Sequence, residues 1–103
     1  MMIQPVLYNK LPEVIGLFKE NKVERVYAFG SVCTEKFNDN SDIDFLISFE
    51  KGIDPIEYGE NYFKLLYSLQ KLLQRDVDIV AEETLVNPYF IKVLNKTKTV
   101  IYE

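Results

Sequence analysis

Histidine is absent from this chain of 103 residues, and cysteine occurs once. The first absence removes a histidine general base and any histidine-ligated zinc site. A lone Cys33 cannot form an intrachain disulfide, which fits a reducing compartment. No block of lysine and arginine is present, and the formal net charge is −4. Both facts argue against a nucleic-acid-binding surface. No apolar run approaches the length of a membrane span, and the first residues carry no signal-peptide pattern. The expectation is a soluble, cytoplasmic protein that does not engage a membrane.

What is present is apolar and aromatic. Hydrophobic residues make up 48% of the chain, among them seven Tyr and seven Phe. That suffices for one adequate core, and the length is too short for two, so residues 1–103 are read as a single domain.

Periodicity places the elements. Leu11, Val14, Ile15, Leu17 and Phe18 recur at helical spacing over Leu11 to Glu20, with Asn9 as candidate cap and Pro12 tolerated in the first turn. Arg25 to Phe29 reads as a strand, with Val26 and Ala28 on one face and Tyr27 and Phe29 on the other. Ile43 to Phe49 is a near-continuous apolar strand that expects burial on both faces. Pro55 to Leu73 is the longest helix, striped by Tyr58, Tyr62, Leu65, Leu66, Leu69, Leu72 and Leu73. Val77 to Ala81 is a third strand. Asn87 caps a short helix that begins at Pro88 and runs through Leu94, and Thr99 to Tyr102 closes as an edge strand. The sum is a small α/β (α+β) domain: a mixed sheet of about four strands with helices packed on it. Strand order does not follow from the pattern.

One arrangement carries chemistry. Gly30-Ser31 ends the first strand, ten residues follow, and Asp42-Ile43-Asp44 opens the second. A glycine after a strand lets backbone approach a ligand closely, and a serine hydroxyl can donate to phosphate. Alone, the pair also reads as a plain turn. Asp42 and Asp44, at i and i+2 on a strand, point to one face. Adjacent carboxylates repel unless a cation sits between them, and Mg²⁺ favours carboxylate and phosphate oxygens. The bland alternative leaves Ser41-Asp42 closing a turn and Asp44 solvated. Asn38-Asp39-Asn40-Ser41 is turn chemistry in either case.

Arg75-Asp76-Val77-Asp78-Ile79-Val80 supplies a third carboxylate. If this strand lies beside the second, Asp78 reaches the same site. Three carboxylates can hold two cations roughly 3.5–4 Å apart, the geometry for in-line attack on phosphorus. Asp76 competes for this role. Asp78 is preferred because Val77, Ile79 and Val80 enclose it, whereas Asp76 lies nearer solvent. Cys33 has no partner to activate it and reads as a small core filler.

These residues together resemble the DNA polymerase β-like nucleotidyltransferase superfamily. The short chain resembles its minimal nucleotidyltransferase branch, the antitoxins of HEPN-domain toxins. The resemblance spans nearly the whole chain. It implies that Gly30 and Ser31 bind nucleotide phosphates, that Asp42 and Asp44 ligate metal, and that Asp78 is the third catalytic carboxylate. It further implies two Mg²⁺ ions, ATP as substrate, and transfer of AMP to a hydroxyl with release of pyrophosphate. In the antitoxin branch that hydroxyl is a tyrosine of the HEPN toxin, and the two proteins form a hetero-oligomer. Val32 stands where many members carry Arg after the Gly-Ser pair. Lys36 could supply that charge to the nucleotide, or be an ordinary loop lysine, and a point charge does not reproduce a guanidinium fork.

Two other functions compete. The fold could neutralise its partner by contact alone, without turnover. It could also modify a small molecule such as an aminoglycoside, although that activity normally needs an added domain for the acceptor.

Overall fold

Parallel and antiparallel strands combine in one mixed sheet in the computed structural model, which describes residues 2–103. The strands are β1 (Val23–Phe29), β2 (Ile43–Phe49), β3 (Val77–Ala81) and β4 (Thr99–Tyr102), in the spatial order β3-β2-β1-β4. β1 pairs antiparallel with β2 and with β4. β2 and β3 run parallel, a pairing that needs the long helical crossover between them. The helices are α1 (Pro5–Tyr8), α2 (Leu11–Glu20), α3 (Pro55–Leu73) and α4 (Pro88–Thr97). Short 3-10 turns follow β1 (Gly30–Cys33) and β3 (Glu82–Thr84). Among the described residues no helix is long and apolar enough to cross a membrane.

Alternation along the strands sorts side chains onto two faces. One face carries Val26, Ala28, Ile43, Phe45, Ile47, Val77 and Ile79, all buried beneath α2 and α3. Phe18 from α2 meets Phe45 edge-on at 5.2 Å between ring centres. α3 contributes Leu65, Leu69 and Leu73, and its Tyr62 hydroxyl donates to the Ile79 carbonyl at 2.8 Å. The second face is smaller. There Phe29 and Leu46 pack with Leu94 of α4, and Phe90 stands edge-on to Phe29. β2 is fully buried on the first face, but on the second only Leu46 is buried while Asp44 and Ser48 are half-exposed, so the expected burial on both faces holds in part.

The capping side chains explain where the helices start. Asp54 accepts from the Ile56 and Glu57 amides ahead of α3, and Asn87 accepts from Tyr89 and Phe90 ahead of α4. Asn9 does not cap α2. Lys10 occupies that position without a side-chain bond, and Asn9 instead closes α1 as its C-cap. α4 continues to Thr97, past the expected end at Leu94.

Candidate active site

β1 ends, and the site begins, at Gly30. Its φ is +77°, and a Cβ built there would lie 2.6 Å from Oδ2 of Asp44. Any larger residue would strain the backbone and strike that carboxylate. The Gly30 amide donates to Thr97 Oγ1 at 2.8 Å, so the end of α4 fixes the turn. The N-terminal segment braces it from the other side. Gln4 donates from its amide to the Val32 carbonyl and from Nε2 to the Thr34 carbonyl. Ser31 is half-buried, and its carbonyl accepts from the Thr34 amide and hydroxyl. Val32 is fully buried.

The parallel register of β2 and β3 sets Asp44 directly opposite Asp78, and the antiparallel register of β1 and β2 sets Phe29, the residue before Gly30, opposite Asp44. Three adjacent strands thus bring Gly30, Asp44 and Asp78 to one end of the second sheet face. Burial, then the charge of Asp78, then that of Asp42 push the Asp44 carboxyl up to about 6. The site holds negative charge at close quarters and in partial seclusion from water. Tyr62 also feels it: burial first, and Asp78 second, raise its phenol above the ordinary range.

Asp78 is exposed, contrary to the expectation that its apolar neighbours enclose it. β3 is an edge strand, so Val77 and Ile79 turn into the core while Asp78 faces outward. Asp76 is exposed as well, so exposure does not separate the two. Register does: Asp78 pairs with Asp44, while Asp76 uses its carbonyl to accept from the Ile43 amide. Asp42 is exposed at the mouth of a polar recess of about 300 Å³ that Asp76 also lines. Lys36 is exposed, and its amide donates to Thr34 Oγ1. Cys33 lies beside this site. Burial pushes its thiol up, a hydrogen bond with Thr99 opposes this, and Asp44 adds to the rise. It is no candidate nucleophile.

The donor chemistry fits a hard divalent cation. Carboxylates gather at one end of this face, and the most secluded of them, Asp44, is harder to ionise than an ordinary aspartate because burial, and then the charges of Asp78 and Asp42, disfavour its charged form. Among the described residues no group of three or more His, Cys, Asp or Glu side chains is already placed to hold a metal ion. Asp42, Asp44 and Asp78 are the side chains that would hold one, with Asp42 and Asp78 exposed on either side of the half-buried Asp44.

Gln4, Arg75 and Thr97 escape a sequence reading of the site. Each acts by a hydrogen bond across 30 residues or more.

The chain is similar to known proteins over most of its length. The family model described as "Polymerase beta, Nucleotidyltransferase" matches residues 12–103. A protein of Methanocaldococcus jannaschii named "Putative protein adenylyltransferase MJ1379" is 32% identical over 71 residues, covering 69% of each chain. A solved structure described as "putative minimal nucleotidyltransferase" superposes with a TM-score of 0.73 at 28% identity, covering 95% of both chains. A chain from the complex of tri-AMPylated Shewanella oneidensis HEPN toxin with MNT antitoxin superposes with a TM-score of 0.65 at 21% identity, over 92% of this chain and 71% of that one.

Proposed function

Because the chain belongs to the polymerase beta nucleotidyltransferase family, we propose that it transfers AMP from ATP to a tyrosine hydroxyl of a HEPN-type toxin and so acts as the antitoxin of a pair. The observation that carries this reading is the register of Asp44 against Asp78 beside Gly30, which supports a metal-dependent phosphoryl-transfer site rather than a surface patch of acids. The M. jannaschii relative and the AMPylated toxin complex support the acceptor class.

Asp42, Asp44 and Asp78 would hold Mg²⁺. When bound, the metal neutralises the triphosphate and lowers the pKa of the attacking hydroxyl. Gly30 lets the nucleotide's phosphates approach the backbone, and Ser31 donates its hydroxyl to a phosphate oxygen. Asp44, ionised, fixes the charge balance of the pocket. The acceptor oxygen attacks the α-phosphorus, the bond to the bridging oxygen breaks, and pyrophosphate leaves. Asp78, open to the acceptor side, takes the hydroxyl proton. Lys36 offers a mobile cation to the phosphates.

A second reading, neutralisation by contact without turnover, draws on Val32. Its side chain is turned into the core, so no cation directly follows Ser31.

Label transfer separates the two. The purified protein is incubated with Mg²⁺, α-phosphate-labelled ATP and a purified HEPN partner, beside Asp44→Asn. Label on the partner with the wild type alone supports transfer. An unlabelled partner that is still neutralised by both proteins supports contact alone.

A further inference from the structure

Arg75 lies three residues before Asp78 and reaches back to the loop that delivers Asp42. Its Nη1 donates to the Ser41 carbonyl at 2.8 Å and to the Asn38 carbonyl at 3.2 Å. Its guanidinium lies 4.5 Å from the centre of the Phe37 ring. Ser41 is the residue immediately before Asp42. The loop is closed internally as well: Asn38 Oδ1 accepts from the Asn40 amide, Ser41 Oγ accepts from the Asn38 amide, and the Asn38 carbonyl also accepts from the Ser41 amide. Phe37, ahead of that turn, packs on the core, and Arg75 reaches the turn itself through the Ser41 and Asn38 carbonyls. One further bond, from the Ile43 amide to the Asp76 carbonyl, ties the two strand starts together on the other side of Asp42.

We infer that Arg75 is a positioning residue for the proposed transfer site: it clamps residues 37–41 and thereby sets the place of Asp42 beside Asp44. The inference rests on the metal-site reading above. Three features favour positioning over a simple charge effect. The two carbonyl bonds come from one nitrogen, so the guanidinium's orientation is fixed. The ring contact holds the plane of the guanidinium. Finally, Arg75 Nε is buried with no hydrogen-bond partner. An unpaired buried N–H is destabilising, so the pose is held by the loop contacts and not by a fully satisfied niche. A lysine keeps the positive charge near Asp39, Asp42 and Asp76, but its flexible point charge has no plane to lie against Phe37 and so does not fix the direction of the two carbonyl bonds.

The test uses the full chain as wild type, Arg75→Lys, Arg75→Ala and Asp44→Asn. Mn²⁺ binding is read by electron paramagnetic resonance, folding by thermal melts, and loop order by amide hydrogen exchange. The expected result is that Arg75→Lys melts within a few degrees of wild type, exchanges the amides of residues 38–42 faster, and binds Mn²⁺ about tenfold to a hundredfold more weakly, the range for a residue that orients a metal ligand. Wild-type affinity and wild-type exchange in Arg75→Lys would overturn the inference, since charge alone would then suffice. Faster exchange with unchanged Mn²⁺ affinity also overturns it, leaving Arg75 a purely structural clamp. If the wild type itself binds Mn²⁺ no better than Asp44→Asn, the metal-site reading fails and takes this role with it. Should Arg75→Ala not fold, Arg75→Lys carries the test alone.

Discussion

Asp44 stands opposite Asp78 in the parallel register of β2 and β3. Burial, and then the charges of Asp78 and Asp42, hold its carboxyl near 6, where an ordinary aspartate would be 3.8. A carboxylate pushed this way is prepared for a cation and uncomfortable without one.

Metal binding should therefore depend on pH around that value. A cation needs Asp44 ionised, so protons compete with it below about pH 6. Mn²⁺ affinity is expected to be flat from pH 7 to 8 and to weaken by up to about tenfold for each unit below the Asp44 midpoint. Calorimetry in buffers of different ionisation enthalpy should show about half a proton released per ion at pH 6 and almost none at pH 8. Affinity that is level down to pH 5 would show that Asp44 is not a ligand.

The same carboxyl makes a prediction about stability without metal. Its folded pKa is raised above the unfolded value, so its proton is held more tightly in the folded state. The stability it contributes is full below about pH 4 and is lost as pH rises through about 6. Asp44→Asn removes that loss. The full displacement corresponds to about 3 kcal/mol, and solvent screening of a half-exposed group reduces it to about 1–2 kcal/mol. Metal-free Asp44→Asn should melt several degrees above wild type at pH 8 and level with it near pH 4. Added Mg²⁺ should raise the wild-type melting temperature and leave the variant unchanged. A variant that melts lower at pH 8 would make Asp44 a structural residue.

Much of this was legible because the informative residues lie close together in the chain. The bounds of β2, α3, β3 and β4 follow from apolar runs and from prolines at helix starts. The Gly30-Ser31 to Asp42-x-Asp44 spacing is local too. α1 was not legible, since residues 5–8 make a single turn too short for a periodic signal. The exposure of Asp78 does not follow from its apolar neighbours, because enclosure depends on strand order and β3 lies at the sheet edge. Arg75 and Thr97 carry no sequence signal for their roles. Each meets a backbone group 34 or 67 residues away, and only the folded chain brings them together.

The choice between Asp78 and Asp76 becomes measurable through Asp44. Asp78 acts on the Asp44 carboxyl and Asp76 does not appear among its perturbers. Asp78→Asn should lower the midpoint of the pH dependence of Mn²⁺ binding, keep ATP binding, and reduce transfer by about 10²–10⁴-fold, the usual contribution of a general base. Asp76→Asn should leave midpoint and rate within about twofold, as for an exposed charge without a partner. The reverse pattern would assign the third carboxylate to Asp76.

Gly30 and Gly52 separate backbone strain from close approach. Both have left-handed φ, +77° and +80°. A Cβ at Gly52 would meet nothing within 4 Å, whereas one at Gly30 would lie 2.6 Å from the Asp44 carboxylate. Alanine at either position should cost about 1–2 kcal/mol from the backbone alone. At Gly30 the carboxylate must also move. It is the tip of a rotatable side chain, so it swings aside and the fold survives. What is lost is the placement of the ligand, and a displacement of about 1 Å at a reacting centre can lower a rate by about 10²-fold. Gly30→Ala and Gly52→Ala should thus melt at similar temperatures, while only Gly30→Ala loses Mn²⁺ affinity and AMP transfer. Equal transfer by the two variants would mean that Gly30 serves the turn and not the site.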